Sequence, residues 1–309
     1  MKKLLVLLAL ILLLVCSYAL ADSITVTDMM GREITFDAPA AKAVVMMPAD
    51  CEIVYALGAK DTLIGIGTYC ESKPEMAVMP ELADLPVVNS GYVTNVEQIL
   101  ALAPDVVIMA TMDVQPAITE QLENSGVKVV ATNAQSLEDV YTDIRLIGKI
   151  LGKNTEAEEL VASMQQQLAD IAAQAPKTNK TLYVEESPLE WGLWAAGSGT
   201  YMNDLCELLG ITNIFAADFA LHQPVSEEAV LERNPDIIVT MMMYYDYGPL
   251  PDEEIMNRPG WNNISAVQND AVLYDETNAV ALPGPRLVEV AQMLLDLINS
   301  TGAEEIPAA

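Results

Sequence analysis

Histidine is almost missing from this chain: His222 is the only one in 309 residues. A Ser-His-Asp hydrolytic arrangement would have to use it as base. A zinc or manganese site of the usual kind, with several histidines, lacks its ligands. Basic side chains are also scarce, 15 Lys and Arg against 44 Asp and Glu, giving a formal net charge of −29. Phosphate backbones need cationic partners, so nucleic-acid binding is excluded, and the acidic excess reads as a solubilising surface. Long apolar runs are lacking with one exception at the start. Beyond it nothing is apolar over the roughly 20 residues that a membrane span needs, although 52% of residues are hydrophobic.

The exception, "MKKLLVLLALILLLVCSYALADS", has two lysines, an apolar core and Ala19-Leu20-Ala21, the small-x-small pattern of a secretory signal. Residues 1–21 are thus expected to be a signal peptide, with an exported, soluble chain starting near Asp22. Cys16 offers the alternative of a lipid anchor at the membrane face. Val15 stands before it, where a lipoprotein signal carries a small residue, so the soluble form is favoured.

Past the leader, "ITVTDMMGREITF" reads as two short strands around a turn, after which apolar strands alternate with helical patterns ("KAVVMMP", "DCEIVYALGA", "LIGIGTY", "NVEQILALA", "DVVIMA"). Strands apolar on both faces and separated by helices imply mostly parallel sheets covered by helices. One long amphipathic helix, "TEAEELVASMQQQLADIAAQA", interrupts the alternation, which then restarts at "TLYVEES". The fold class is therefore α/β. It comprises an N-terminal lobe (22–152), a linking helix (153–178) and a C-terminal lobe (179–309), two Rossmann-like lobes with a ligand cleft between them. One unit occurs twice: "NVEQILALAPDVVIM" from Asn95 and "SEEAVLERNPDIIVT" from Ser226 align on their Pro-Asp pairs. Each has a glutamate seven positions before the proline, Glu97 and Glu228. Each glutamate lies in the first turn of a helix capped by Asn95 or Ser226, where it complements the helix dipole.

These strings, with "DCEIVYALGAKDTLIGIGTYC", "GTYMNDLCELLGITNIF" and "PGPRLVEVAQML", carry a resemblance that runs from Ile24 to Ile298. The chain resembles the periplasmic or surface substrate-binding proteins that serve ABC importers of ferric siderophores, cobalamin and haem. The resemblance implies two α/β lobes on one rigid helix, limited lobe motion and a ligand held between the lobes. It also implies one acidic residue per lobe, here Glu97 and Glu228, docking onto arginines of the membrane permease. The chain is accordingly expected to be a non-catalytic, monomeric carrier without cofactor or resident metal. Its expected partners are a ferric siderophore or corrinoid ligand and the permease. A haem or metal-ion carrier and a secreted hydrolase using Ser198 are the alternatives, the latter without a G-x-S-x-G elbow.

Ligands bind outside the carboxyl ends of parallel strands, and here those ends are rich in Met and Tyr, adaptable and polarisable contacts for a large rigid ligand. The expected ligand contacts are Met47, Tyr69, Tyr92, Trp194, Tyr201, His222, Tyr244 and Tyr245, with Met46, Met109 and Met241 assigned to the core. The resemblance supports Tyr69 most directly, and it sets His222 where relatives often place a cleft-facing tryptophan. At another frequent aromatic position the chain has "NAVALPG" instead. Many binders of anionic siderophores set an arginine beside the ligand. The only arginine near the expected rim, Arg286, reads as structural, which leans toward a neutral or cationic ligand. Cys206 reads as a core thiol. Cys51 and Cys70 flank one edge of the N-terminal lobe, either as a disulfide or as two thiols.

Overall fold

The computed structural model describes residues 23–91, 93–241 and 248–301. In the N-terminal lobe an antiparallel hairpin of β1 (Ile24–Thr27) and β2 (Glu33–Phe36) precedes β3 (Ala43–Val45), α1 (Pro48–Ala56), β4 (Leu63–Ile66) and α2 (Lys73–Val78). A short hairpin, β5 (Asn89–Ser90) and β6 (Val93–Thr94), leads into α3 (Val96–Leu102), β7 (Val106–Ala110), α4 (Pro116–Asn124), β8 (Lys128–Thr132) and α5 (Leu137–Ile150). The four central strands are all parallel in the order β4-β3-β7-β8. Their β-branched sequences suit a sheet covered on both faces. Val44, Met46, Val107, Met109 and Val129 pack with Ile99 and Leu122 of α3 and α4. Ala43, Val45, Val106, Ile108 and Val130 face Ile144 and Ile147 of α5. Helix α4 is not among the helical patterns picked out above, yet it carries the chain from β7 to its parallel neighbour β8. Parallel neighbours need such a crossover.

The linking helix α6 (Asn154–Ala172) has 19 residues, about 28 Å at 1.5 Å per residue. Its buried side chains Ala157, Val161, Met164, Leu168 and Ile171 recur every three or four positions, one stripe of a 3.6-residue helix. This stripe packs on α5 and continues the apolar core from one lobe into the other.

The C-terminal lobe contains β9 (Thr181–Glu185), β10 (Trp194–Ala196), α7 (Tyr201–Leu209), β11 (Thr212–Asn213), β12 (His222–Pro224), α8 (Glu227–Arg233) and β13 (Ile237–Thr240). After these come α9 (Pro251–Met256), α10 (Ser265–Gln268), β14 (Val272–Tyr274) and α11 (Leu287–Ser300), the last packing on α6. Strands β11, β9, β13 and β14 pair in parallel. At the carboxyl end of β9 an antiparallel ribbon replaces the parallel pattern: β10 pairs with Glu185, and β12 pairs with β10. Gly197 permits this ribbon, since a Cβ there would stand 2.3 Å from the Phe219 carbonyl oxygen. Under the sheet, buried Arg258 donates to both carboxylate oxygens of buried Glu185 (2.8 and 2.9 Å) and stacks on Trp261, 4.1 Å from the ring centroid.

The repeated unit folds the same way twice. Asn95 Oδ1 accepts from the Gln98 amide (3.0 Å), and Ser226 Oγ accepts from the Ala229 amide (3.2 Å). Both helices span seven residues and end on a left-handed residue, Ala103 or Asn234, just before the proline. The aspartates then clamp the neighbouring strand. Asp105 accepts from the amides of Ala41 and Lys42 (2.8 and 2.9 Å), and Asp236 from the Thr181 amide and hydroxyl (2.8 and 2.9 Å).

Candidate functional site, an interlobe cleft

Hydrogen bonds between the lobes show which edges face each other. Each N-terminal partner follows the carboxyl end of a strand: Glu52 after β3, Glu75 after β4, Gln135 and Leu137 after β8. Arg286 Nε donates to Glu52 (2.9 Å), and Asn278 Nδ2 to Glu75 (2.8 Å). The Leu137 amide donates to Asp204 (2.8 Å), and the Tyr201 amide to the Gln135 carbonyl (2.6 Å). Their C-terminal partners follow β14 and β10. At β14 the carboxyl end of a parallel C-terminal strand therefore confronts the carboxyl ends of the N-terminal sheet, the edge at which α/β sheets bind ligands.

Large apolar side chains stay exposed along these ends. Tyr69, in the turn after β4, is 39% exposed, and Met112, after β7, is 78% exposed. In the C-terminal lobe Trp191 is 61% and Trp194 42% exposed. Leu221 is also exposed, and Met47 and His222 are half-buried. Gly67 sets the path to Tyr69, because a Cβ at this position would lie 2.1 Å from the Met46 carbonyl oxygen. Of the expected contacts, Met47 and Tyr69 lie after β3 and β4, and Trp194 and His222 open β10 and β12. Tyr92, Tyr244 and Tyr245 lie outside the described residues.

Tyr201 departs from expectation. It is only 4% exposed, and its hydroxyl donates to the Val280 carbonyl (3.0 Å). The polar end that would have touched a ligand instead satisfies a buried acceptor. Met46 and Met109 are core, as their strand positions suggested, and Met241 packs partly buried against it. Cys206 is buried. Cys51 and Cys70 are buried free thiols with sulfurs 3.7 Å apart, in contact and unbonded.

Arg286 is structural, tying its lobe to Glu52 and to the Thr277 carbonyl (3.0 Å). Burial pushes the Glu52 carboxyl up, and the Arg286 guanidinium pulls it back. Burial likewise raises Glu75. The sequence carried no local signal for this clamp, whose partners are 234 positions apart. Ser198 Oγ donates to the Phe219 carbonyl (3.3 Å), while both His222 nitrogens are engaged by Glu186 and Gln135, so the two do not form a nucleophile and base pair. Among the described residues no group of three or more His, Cys, Asp or Glu is arranged to hold a metal ion, and no helix is long and apolar enough to cross a membrane.

Glu97 and Glu228 are exposed, each in the first turn of its helix. Beside Glu97 is an open depression of about 540 Å³, walled by Val93, Asn95 and Gln121.

The chain is 30% identical over 282 residues to an uncharacterized ABC transporter substrate-binding lipoprotein, YvrC, of Bacillus subtilis, covering 89% of this chain and 85% of that one. It is 26% identical over 287 residues to a cobalamin-binding protein of Halobacterium salinarum, covering 90% and 74%. Among solved structures, an ABC-type Fe3+-hydroxamate transport system protein from Saccharomonospora viridis superposes with a TM-score of 0.72 at 26% identity, covering 90% of this chain and 99% of that one. The model of the periplasmic binding protein family matches residues 44–279, so with its two lobes, linking helix and interlobe cleft this chain belongs to that family of substrate-binding proteins.

Proposed function

We propose that the chain is the extracytoplasmic capture component of an ABC importer, and that its ligand is a metal chelate, either a ferric siderophore or a cobalamin-like corrinoid. The observation that carries this reading is the set of exposed aromatic and sulfur side chains that the two lobes leave uncovered, Tyr69 and Met112 on one and Trp191 and Trp194 on the other. Such side chains provide broad, polarisable and adaptable contact area for a large rigid ligand. The names of the relatives, a substrate-binding lipoprotein and a cobalamin-binding protein, agree with it.

In this reading Met47, Tyr69, Trp194 and His222 contact the ligand together with Tyr92, Tyr244 and Tyr245. Glu97 and Glu228 dock the two lobes onto cationic side chains of the permease. The protein works as an exported monomer without cofactor, free or lipid-anchored through Cys16. Its lobes divide at 22–152 and 179–309 around the linking segment 153–178. A fluorescence titration of Trp191 and Trp194 with cyanocobalamin, haem and a panel of ferric siderophores tests the function. Saturable quenching by one of them at one ligand per chain supports a carrier. No quenching by any of them overturns the chelate reading, and turnover of a probe would make the protein an enzyme.

A further inference from the structure

The sole histidine spans the two lobes. His222 opens β12 and pairs with Ala196 of β10 in the C-terminal lobe. Its Nδ1 is 2.6 Å from Glu186 Oε1 of the same lobe, and its Nε2 is 2.8 Å from Gln135 Oε1 of the other. The Gln135 amide is oriented by its other end, since its NH2 group donates to Asn133 Oδ1 (3.4 Å) and leaves the carbonyl oxygen toward the ring. The Gln135 main chain is also fixed, with its N–H on Asp139 Oδ2 (3.3 Å) and its carbonyl accepting from the Tyr201 amide (2.6 Å).

Both ring nitrogens thus face acceptor oxygens. A neutral imidazole has one N–H and would set a lone pair against one of these oxygens, whereas an imidazolium donates at both ends. The surrounding titratable groups favour that charge. Glu186 follows β9, Asp139 and Asp204 flank the Gln135 segment, and the Tyr201 hydroxyl is committed to Val280. The Glu186 amide is itself bound to the Trp194 carbonyl (3.0 Å), so the contact reaches the ligand-facing ribbon.

We propose that His222, as an imidazolium, is a cross-lobe clasp that positions the Gln135 loop of one lobe against the Trp194 ribbon of the other, making cleft closure proton-linked. The clasp stands on this geometry and does not depend on which ligand the cleft carries. Its sign is fixed. The Glu186 carboxylate raises the histidine above its ordinary 6.5, with burial opposing. A group raised in the folded state contributes fully below its ordinary value, and that contribution is lost as pH rises through the raised one.

Because the chain has one histidine, its imidazole Hε1 proton gives a single titrating NMR resonance in the intact, ligand-free protein. The clasp predicts a midpoint above 6.5, moved to lower pH by Glu186→Gln and also by Gln135→Leu. A wild-type midpoint at or below 6.5, or a Glu186→Gln midpoint equal to wild type, overturns it. Lobe coupling is read on the wild type by hydrogen exchange at the Leu137 and Tyr201 amides, which donate across the lobes. Their protection factors, corrected for intrinsic exchange, fall through the histidine midpoint if the clasp holds the lobes. Constant protection refutes the coupling. None of these readouts uses a ligand, so failure of the clasp leaves the carrier function standing, and failure of every chelate to bind leaves the clasp standing.

Discussion

The two lobes share one device and differ in the edges they turn toward the cleft. In both, a seven-residue capped helix ends on a left-handed residue, and a Pro-Asp pair then starts the next strand and clamps its neighbour. The N-terminal lobe builds its cleft wall from turns after parallel strands, where Tyr69 and Met112 stand. The C-terminal lobe adds an antiparallel ribbon at the end of β9, and that ribbon carries Trp194 and His222. The shared device presents one carboxylate per lobe, and the differing edges shape one cleft from two unlike walls. The repeated helix–Pro-Asp unit is thus alike in both lobes, whereas the strand edges beside the cleft are not.

Substitutions can break this comparison at either level. The largest effect is expected from the shared feature: if Glu97 and Glu228 dock onto cationic permease side chains as proposed, Glu97→Arg with Glu228→Arg sets like charges against them, a penalty of several kcal/mol or about 100-fold or more in docking. Cellular uptake should disappear while the purified protein keeps its ligand affinity, and weakened ligand binding would remove the docking role. Next is the C-terminal core. Arg258→Ala leaves Glu185 buried without its partner and should lower stability by about 3–5 kcal/mol in thermal unfolding.

The opposite sign is expected in the N-terminal lobe. Asp50 and Asp143 are buried side by side, and burial raises Asp50 to about 6 and Asp143 in the same direction. The folded state therefore holds protons that the unfolded chain releases near 3.8, and stability falls as pH rises from about 4 to 6. Asp143→Asn should raise stability at pH 7 by about 1–3 kcal/mol and flatten the fall over that range, measured as melting temperature against pH.

How much was legible follows from the range of the interactions. The parallel sheets and the two capped helices that open with Glu97 and Glu228 rest on local patterns: periodicity, caps and strand ends. Tyr201 was misread because its place after a strand is cleft-like in sequence, whereas its hydroxyl reaches Val280, 79 positions away. The β10–β12 ribbon was unseen because three-residue strands carry too little alternation to register. Gln135, Glu186, Glu52 and Asn278 were missed for a related reason, since their role arises only when distant segments meet across the cleft.

The central claim is that both unlike walls hold one ligand. A double-mutant cycle of Tyr69→Ala and Trp194→Ala, titrated with whichever chelate quenches the wild type, tests it directly. Each single substitution should weaken binding by about 1.5–3 kcal/mol, roughly tenfold to a hundredfold, at an unchanged stoichiometry of one ligand per chain. If either substitution leaves the affinity at the wild-type value, the ligand does not bridge the lobes and the account fails.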